Sequence, residues 1–317
     1  MPGRVTTATH RGRTALAAVA VAGAAAATWG IGIERHLYTL RQHTVAVLPA
    51  GADPIRILHL SDVHMAPWQV RKQAWIASLA SLRPDLIVNT GDNLGHPDAL
   101  RAIRAAYAGF RGVPGVFVYG SNDFFAPTPR NPLRYLTGPS QRGNVEEKPL
   151  DTAALDAFLT DTLGWHSVDN GAAALQVRGR RLDFFGVGDA HRDWDRLDEL
   201  PAYAASVRNE ASDLPRLEIG VTHAPYRRVL DAFAAEGADM IFAGHTHGGQ
   251  VRVPGFGALV ANCDLPLDQT RGLSSWDAGT RRIPLNVSAG IGHSIYAPVR
   301  FACRPEASLI TLVPREG

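Results

Sequence analysis

Cysteine is almost absent from this sequence of 317 residues, which contains only Cys263 and Cys303. Two cysteines are too few for a disulfide scaffold or for a structural zinc site built on thiolates. They could form one pair if the chain folds outside the cytoplasm, but two buried free thiols are the simpler expectation. Any metal site in this protein must therefore be built from oxygen and nitrogen donors.

The sequence also lacks an excess of charge of either sign. Lysine and arginine total 32 residues and aspartate and glutamate total 30, which gives a formal net charge of +2. A balance of this kind provides no electrostatic basis for binding a nucleic-acid duplex. Internal repeats are absent as well, and a chain of this length can form one large α/β domain.

One long hydrophobic run is present, and it lies close to the N-terminus. Residues 1–13 are polar and include several arginines, whereas residues 14–33 are uncharged and rich in alanine. A helix needs roughly 20 apolar residues to cross the core of a bilayer. The run is therefore long enough for a signal anchor, although a cleaved signal peptide or an amphipathic surface helix would also fit.

Arginines before the run favour an N-terminus that stays in the cytoplasm and a following domain that is exported. We therefore expect a single uncleaved anchor at the cell membrane and an extracytoplasmic folded domain. Residues 34–54, which end in a segment rich in proline, glycine and alanine, are interpreted as a connection. The folded domain is then predicted to occupy residues 55–317.

Strand and helix patterns alternate through this domain, which predicts the α/β class. Strands are predicted at 55–60, 85–89, 116–119, 166–168, 173–177, 182–187, 217–221, 238–242, 251–253, 258–260, 284–288 and 308–312, with one more at 44–48 before the domain. Helices are predicted at 70–82, 97–110, 151–163 and 227–236. Residues 124–149, rich in proline, arginine and glycine, are expected to form a long loop.

Polar side chains follow several of the predicted strands at the point where each strand ends. The oxygen and nitrogen donors among them are Asp62, His64, Asp92, Asn122, His223, His245 and His247. Open α/β folds assemble their sites at the carboxyl edge of the sheet, so these donors are expected to converge. Such a set suits Mn, Fe or Zn, and its size indicates two divalent metal ions sharing a carboxylate.

With these motifs in order, the sequence resembles the calcineurin-like metallophosphoesterase family from residue 55 to residue 250. The motifs are Asp62-Val63-His64, Gly91-Asp92, Gly120-Ser121-Asn122-Asp123, the lone His223, and Gly244-His245-Thr246-His247-Gly248-Gly249-Gln250. The extended last motif and the preceding hydrophobic run look most like the membrane-associated YkuE-type branch. The resemblance implies an αββα sandwich of two mixed β-sheets, here preceded by an N-terminal hydrophobic helix.

The resemblance also implies a role for each donor. Asp62, His64 and His247 would hold the first metal ion, and Asp92 would bridge the two ions. The second ion would be held by Asn122, His223 and His245.

One motif departs from the family pattern, in which Gly-Asn-His is followed by Asp or Glu. Aligned without a shift, Ser121 occupies the ligand position and Asn122 the position of the histidine that assists the leaving group. Shifted by one residue, Asn122 regains the ligand role and Asp123 replaces that histidine. We favour the shifted alignment because an amide oxygen is the better ligand, and we predict catalytic roles for Asn122 and Asp123.

In either alignment the usual histidine is missing. Losing a general acid slows a poor leaving group by roughly 10²–10⁴-fold and a good one far less. The substrate could therefore carry a good leaving group, as in a pyrophosphate. His96, His191 and His293 are further candidates that could reach the site from loops, although a structural role is the simpler expectation for each.

Two functions from different classes follow from these patterns. The first is a metal-dependent hydrolase of phosphoric esters or pyrophosphates, acting at the membrane on a phosphate-containing small molecule or a lipid-linked substrate. The alternative is a metal-binding scaffold or sensor that has lost catalysis together with the histidine. Arg130, Arg134 and Arg142 are weaker candidates for contacting substrate phosphate, and Asp189 could support the centre.

Overall fold

The structure, a computed structural model, describes residues 6–129 and 147–315, with side chains from Thr14 onward. Its first element is the helix α1 (Thr6–Ala27), which continues into a π-helical turn (Thr28–Ile33). A stretch of these elements, Thr14–His36, is long and apolar enough to span a membrane and is almost entirely exposed. Length and composition alone fit an anchor and a signal sequence equally.

Two six-stranded sheets follow, and both are mixed. The first has the order β1 (Thr39–Leu48), β14 (Glu306–Pro314), β2 (Ile55–Leu60), β3 (Leu86–Asn89), β4 (Gly115–Phe117) and β5 (His166–Ser167). The second has the order β12 (Gly272–Ala278), β13 (Arg281–Val287), β9 (Met240–Ala243), β8 (Arg216–Thr222), β7 (Arg180–Val187) and β6 (Gly171–Val177). A short hairpin, β10 (Arg252–Val253) with β11 (Gly257–Ala258), stands apart.

The sheets pack face to face, and helices cover their outer faces. Apolar side chains of both sheets, such as Val116 and Phe242, fill the space between them. The outer face of the first sheet is covered by α2 (Val70–Ser78), α3 (Leu100–Tyr107) and α4 (Thr152–Ala157). On the second sheet lie α5 (Leu200–Arg208) and α6 (Arg227–Ala235). The predicted αββα sandwich of two mixed sheets is confirmed.

The parallel strands explain why the donors share one edge. In the first sheet β2, β3 and β4 run parallel, and in the second β8 and β9 do so. Their carboxyl ends therefore lie on the same side of each sheet, and all five lead into predicted donors. Strand β3 is fully buried along its length, as expected of a parallel strand covered on both faces.

Several sequence predictions are corrected here. Strand β1 lies within the predicted connection 34–54, yet it pairs with β14 over nearly its full length and belongs to the first sheet. The folded unit therefore begins before residue 55. The helix predicted at 151–163 is a short α4 followed by a π-helical segment, Phe158–Thr162. Helix α5 and strand β12 were not predicted.

The loop predicted at 124–149 is described only at its two ends, which are joined by a bridge between Phe125 and Pro149. Arg130, Arg134 and Arg142, the candidate phosphate contacts, lie outside the described residues. Both cysteines are free and buried, as expected from the sequence.

Candidate metal centre

The strand ends bring the predicted donors of both sheets together. Ligand atoms of two groups lie within 4.8 Å of one another: Asp62, His64 and His247 in the first, and Asp62, Asp92 and His223 in the second. The shared Asp62 joins the groups, and its carboxylate also accepts the backbone N–H of His245 at 2.9 Å. This bond ties the first sheet's loop to the second sheet's loop.

The backbone of these loops is unusual for non-glycine residues. The φ angles are positive at Asp62, His64, Asp92, His245 and His247. Such conformations are disfavoured for L-residues and persist only where the surroundings enforce them, often at functional sites. The loops are thus shaped to aim side chains at one point.

Two glycines make the close approach of the loops possible. A Cβ atom at Gly244 would overlap the hydroxyl of Ser61 and the carboxylate of Asp62, and one at Gly120 would overlap the carboxylate of Asp92. Any side chain at these positions would therefore push a predicted ligand out of place. The close packing of the loops against the carboxylates thus explains the glycines at these two motif positions.

In the first group the ring nitrogens face each other. Nε2 of His64 lies 3.2 Å from Nε2 of His247, and the latter lies 3.6 Å from Oδ1 of Asp62. Two imidazoles that bind one zinc-like ion at about 2.1 Å would place their nitrogens roughly 3.0–3.4 Å apart. The observed spacing therefore fits a shared divalent cation.

In the second group one buried nitrogen has no hydrogen-bond partner among the described residues. Nδ1 of His223 lies 2.7 Å from the carbonyl oxygen of Thr90, to which it donates, so Nε2 carries the lone pair when the ring is neutral. That Nε2 lies 3.6 Å from Oδ2 of Asp92. Nε2 of His64 lies 3.4 Å from the same oxygen, so Asp92 stands between the two groups.

His245 lies beside these groups rather than within them. Its ring centroid is 5.2 Å from that of His223. Its Nε2 lies 3.1 Å from the backbone oxygen of Asn262 and 3.2 Å from the side-chain amide nitrogen of the same residue. When Nε2 donates to that oxygen, Nδ1 carries the lone pair. His245 is thus prepared to coordinate through Nδ1.

Asn122, rather than Ser121, contacts the carboxylate that separates the groups. The backbone N–H of Asn122 donates to Oδ1 of Asp92 and its side-chain amide donates to Oδ2, each at 2.8 Å. The backbone N–H of Ser121 instead donates to Asp189 at 3.0 Å. The structure therefore places Asn122, and not Ser121, beside the predicted bridging carboxylate, while the choice between the two alignments stays a prediction.

The structure gives Asp123 a role other than the predicted one. Its side chain is fully buried, and its carboxylate accepts backbone N–H bonds from Asp92, Asn93, Leu94 and Gly120. Both oxygens are thus directed at the backbone of the loop that carries Asp92. This arrangement shapes the loop and does not support the prediction that Asp123 takes the place of the family histidine.

A chain of buried hydrogen bonds orients Asp62. The hydroxyl of Ser61 donates to Asp62 at 2.5 Å and accepts a bond from Thr90 at 2.6 Å, and Thr90 contacts Nε2 of His59 at 2.9 Å. The amide of Asn286 completes the chain at the other ring nitrogen of His59, 2.8 Å away. Asn286 therefore acts at a distance from the donors.

Two buried cations beside the centre were missed by the sequence reasoning. The guanidinium of Arg300 bonds to the backbone oxygens of His247 and Gly290, and the ammonium of Lys72 bonds to those of Val63 and His64. Neither residue belongs to a motif, and Arg300 lies 53 residues from His247, whose loop it supports. No local pattern in the sequence could have identified them.

The weaker candidates fall in different places. The ring of His191 lies 4.5 Å from that of His245, and Asp189 accepts N–H bonds from His191 and Ser121. The ring of His96 instead packs edge-on against that of Trp68. His293 is buried, with Nδ1 3.0 Å from the oxygen of Ser294.

Electrostatics favour neutral imidazoles at most of the donors. Burial lowers the pKa of His64 to about 4 and that of His245 to about 3, and it lowers the pKa of His247 well below its usual value. Neutral imidazole is the form that binds metal. Burial also opposes the charge on His223, but the carboxylates of Asp92, Asp189 and Asp62 outweigh it and raise its pKa to about 10.

The donors therefore fit divalent cations. A buried ring nitrogen of His223 without a hydrogen-bond partner, paired ring nitrogens at ligand spacing and two carboxylates that pair with no lysine or arginine among the described residues are the features that such ions satisfy. Cations of the Mn, Fe or Zn type accept this mixture of imidazole and carboxylate. The identity of the metal does not follow from the donors alone.

The family model described as calcineurin-like phosphoesterase matches residues 55–249. Because this match spans more than half of the chain, the chain belongs to that family. It is accordingly a metallophosphoesterase, a hydrolase that cleaves phosphoric esters, and the resemblance predicted from the motifs is confirmed.

Two relatives match along most of their length. One is YkuE of Bacillus subtilis (strain 168), described as an uncharacterized metallophosphoesterase. It is 24% identical to this chain over 304 residues, and the alignment covers 92% of each protein. The other is the phosphodiesterase YaeI of Escherichia coli (strain K12), which is 28% identical over 288 residues, with 87% of this chain and 88% of YaeI covered. Among solved structures, TT1561 of Thermus thermophilus aligns with a TM-score of 0.40 and 12% identity over 75% of this chain and 90% of its own.

Proposed function

We propose that the protein hydrolyses phosphodiesters or pyrophosphates with two divalent cations, and that α1 anchors it at the cell membrane with the folded domain outside the cytoplasm. The observation that carries the catalytic part is the position of Asp92. Its Oδ2 lies within 3.6 Å of ring nitrogens from both donor groups, as a bridging carboxylate requires.

In this proposal the donors divide between two ions. Asp62, His64 and His247 hold the first, and Asn122, His223 and His245 hold the second through an amide oxygen and two imidazoles. Bound ions of this kind polarise phosphoryl oxygens and lower the pKa of a shared water. The protein's own contribution is to fix their spacing, because every donor loop is braced by buried hydrogen bonds.

The leaving group would depart on the side of His191. Of the three histidines considered from the sequence, His191 is the one whose ring contacts that of a proposed ligand, His245. Its Nδ1 lies 2.9 Å from the hydroxyl of Tyr226, a contact that can hold the ring in place. A pyrophosphate would need little such assistance, because its phosphate leaving group departs more readily than an alkoxide, whereas a diester would depend on it.

Support for the membrane part comes from the exposed apolar stretch Thr14–His36. Exposed leucine and valine side chains along it, such as Leu16 and Val19, are largely uncovered by the described residues and would be satisfied by lipid. A lipid-linked substrate would follow from this location.

Extraction of membranes with alkaline carbonate tests the anchor, since an anchored chain stays in the pellet and a peripheral one is released.

Hydrolysis of bis-p-nitrophenyl phosphate with Mn²⁺ tests the catalytic part. We expect metal-dependent turnover by the wild type and a loss of more than about 100-fold in Asp92→Asn, since even indirect partners of metal ligands cost 10–100-fold. The exposed Asp98 provides the matched control Asp98→Asn, which should retain full activity. Absence of turnover on every phosphoester tried would favour the scaffold or sensor instead.

A further inference from the structure

The tip of the β10–β11 hairpin carries an unusually exposed aromatic residue. Phe256 is 76% exposed, more than any other large hydrophobic side chain among the described residues. Val253, on the same hairpin, is exposed as well. Single exposed apolar residues are ordinary on protein surfaces, so the meaning of Phe256 depends on its surroundings.

The hairpin is joined to the end of the N-terminal helix by one loop. The backbone N–H of Arg252 donates to the oxygen of Phe301 at 2.9 Å, which attaches the hairpin to this loop. Arg300, which precedes Phe301 in the sequence, donates its backbone N–H to the backbone oxygen of Gly30 at 3.1 Å. Gly30 is buried in the π-helical turn that ends the apolar stretch.

A second set of contacts fixes the same junction. The buried carboxylate of Glu34 accepts the backbone N–H groups of Ala302 and Cys303 at 2.9 and 2.7 Å, and it also accepts the indole N–H of Trp29 at 2.6 Å. Any side chain at Gly30 would press against the backbone oxygen of Arg300. The end of the helix and the hairpin are therefore held at a fixed relative position.

The surface around this junction combines apolar and cationic groups. We define the anchor-proximal surface as the exposed side chains of Trp29, Val253, Phe256 and Tyr296. Tyr296 lies in the loop that precedes Val299, a neighbour of Gly30. A shallow depression in this surface is lined by Arg252, Val253, Phe256, Arg271 and Ala302 among others. Aromatic tips beside arginines are the chemistry that binds the interface of a bilayer with anionic headgroups.

We propose that the anchor-proximal surface is a second membrane contact, in which Phe256 and Val253 enter the bilayer interface and Arg271 faces anionic headgroups. The proposal rests on the membrane anchor of the proposed function, because the surface adjoins the end of that helix. It goes further by fixing how the domain is oriented. The hairpin directly follows the loop that carries His247, so the metal centre would be held close to the level of the headgroups.

The experiment measures depth in the bilayer with spin labels on the full chain in vesicles of phosphatidylglycerol and phosphatidylcholine. A nitroxide is attached to Phe256→Cys, and its accessibility to oxygen and to a water-soluble nickel reagent is compared. The matched control is Thr280→Cys, an exposed position in the turn between β12 and β13. Leu16→Cys reports on the anchor, and the two native cysteines are buried.

We expect the label at Phe256 to lie roughly 5–10 Å into the boundary between headgroups and acyl chains, the depth typical of interfacial segments. The label at Thr280 should be fully aqueous. Replacing Arg271 by glutamate should lift the label at Phe256 towards water in vesicles that contain phosphatidylglycerol, because it removes the attraction to anionic lipid.

Three results would overturn the proposal, and they can be told apart. If Leu16 reports bilayer depth while Phe256 is as aqueous as Thr280, the second contact is wrong and the anchor stands. If the label at Leu16 is aqueous too, both the anchor and the second contact are wrong. The proposed hydrolysis of phosphodiesters would still stand, because it is measured in a separate assay. A label at Phe256 shielded from both reagents would indicate a second copy of the chain on this surface and would also contradict the proposal.

Discussion

The guanidinium of Arg300 lies 3.2 Å from Nδ1 of His247 and donates a hydrogen bond to the backbone oxygen of the same residue at 3.0 Å. Arg300 is fully buried, and its own backbone holds the end of the N-terminal helix at Gly30. One side chain thus connects the apolar segment to a proposed metal ligand. Its role depends on the whole fold, since His247 and Gly30 are both distant from it in sequence.

Arg300→Met should weaken cation binding at the first site. The change keeps much of the side chain's bulk but removes the guanidinium bonds to the backbone oxygens of His247 and Gly290, so the loop carrying His247 loses part of its support. Loss of an indirect partner of a metal ligand costs about 10–100-fold in affinity. Calorimetric titration with Mn²⁺ measures it, with the exposed Arg304→Met as the control. Equal affinities in the two variants would contradict this role.

Asn122→Ala and Ser121→Ala should separate the two alignments of the departing motif. Asn122 bonds to Asp92 through its side chain, whereas the described contact of Ser121 is made by its backbone. We expect Asn122→Ala to lose one of two bound cations per chain and Ser121→Ala to keep both. Elemental analysis of the purified variants gives the counts. Loss of a cation only in Ser121→Ala would restore the unshifted alignment.

His191→Ala should slow substrates with poor leaving groups more than those with good ones. General acid assistance is worth roughly 10²–10⁴-fold for a poor leaving group and little for a good one. The kcat for diphenyl phosphate should therefore fall by about 100-fold or more, while that for bis-p-nitrophenyl phosphate changes little. His166, an exposed histidine, provides the control His166→Ala. A uniform fall on both substrates would mean that His191 only supports the fold.

Asp123→Ala should destabilise the protein strongly. Its carboxylate accepts four backbone N–H groups, which would lose this acceptor, and each bond to a charged group is worth about 1.5–3 kcal/mol. Chemical denaturation should show a lower free energy of unfolding by several kcal/mol. Asp123→Asn keeps part of this bonding, so its free energy of unfolding should lie between those of the wild type and Asp123→Ala. If Asp123→Ala folds as stably as the wild type and loses only activity, the structural role given to Asp123 is wrong.

Much of the site was predictable because its information is local. Each ligand motif follows its own strand, so a buried strand followed by Asp-x-His or Gly-Asp can be recognised without knowing the partners of that strand. The convergence of the loops then follows from parallel pairing in each sheet. Asp123 was misjudged because its partners are backbone groups, which a sequence pattern does not reveal.

The elements of the fold that the sequence did not predict also have physical explanations. Helix α5 buries only Leu200, Ala204 and Val207, a short apolar stripe in a segment rich in alanine. Strand β12 is an edge strand in which only Trp276 is buried, so the alternation that marks a strand is weak. Strand β1 was partly recognised, but its pairing with β14 joins segments from opposite ends of the chain and cannot be read locally.

The central claim is that two cations lie on either side of the Asp92 carboxylate, and an anomalous-scattering map of Mn²⁺-loaded crystals tests it most directly. The account predicts two peaks, one beside Asp62, His64 and His247 and the other beside Asn122, His223 and His245. A single peak, or two peaks that do not flank Asp92, would contradict it.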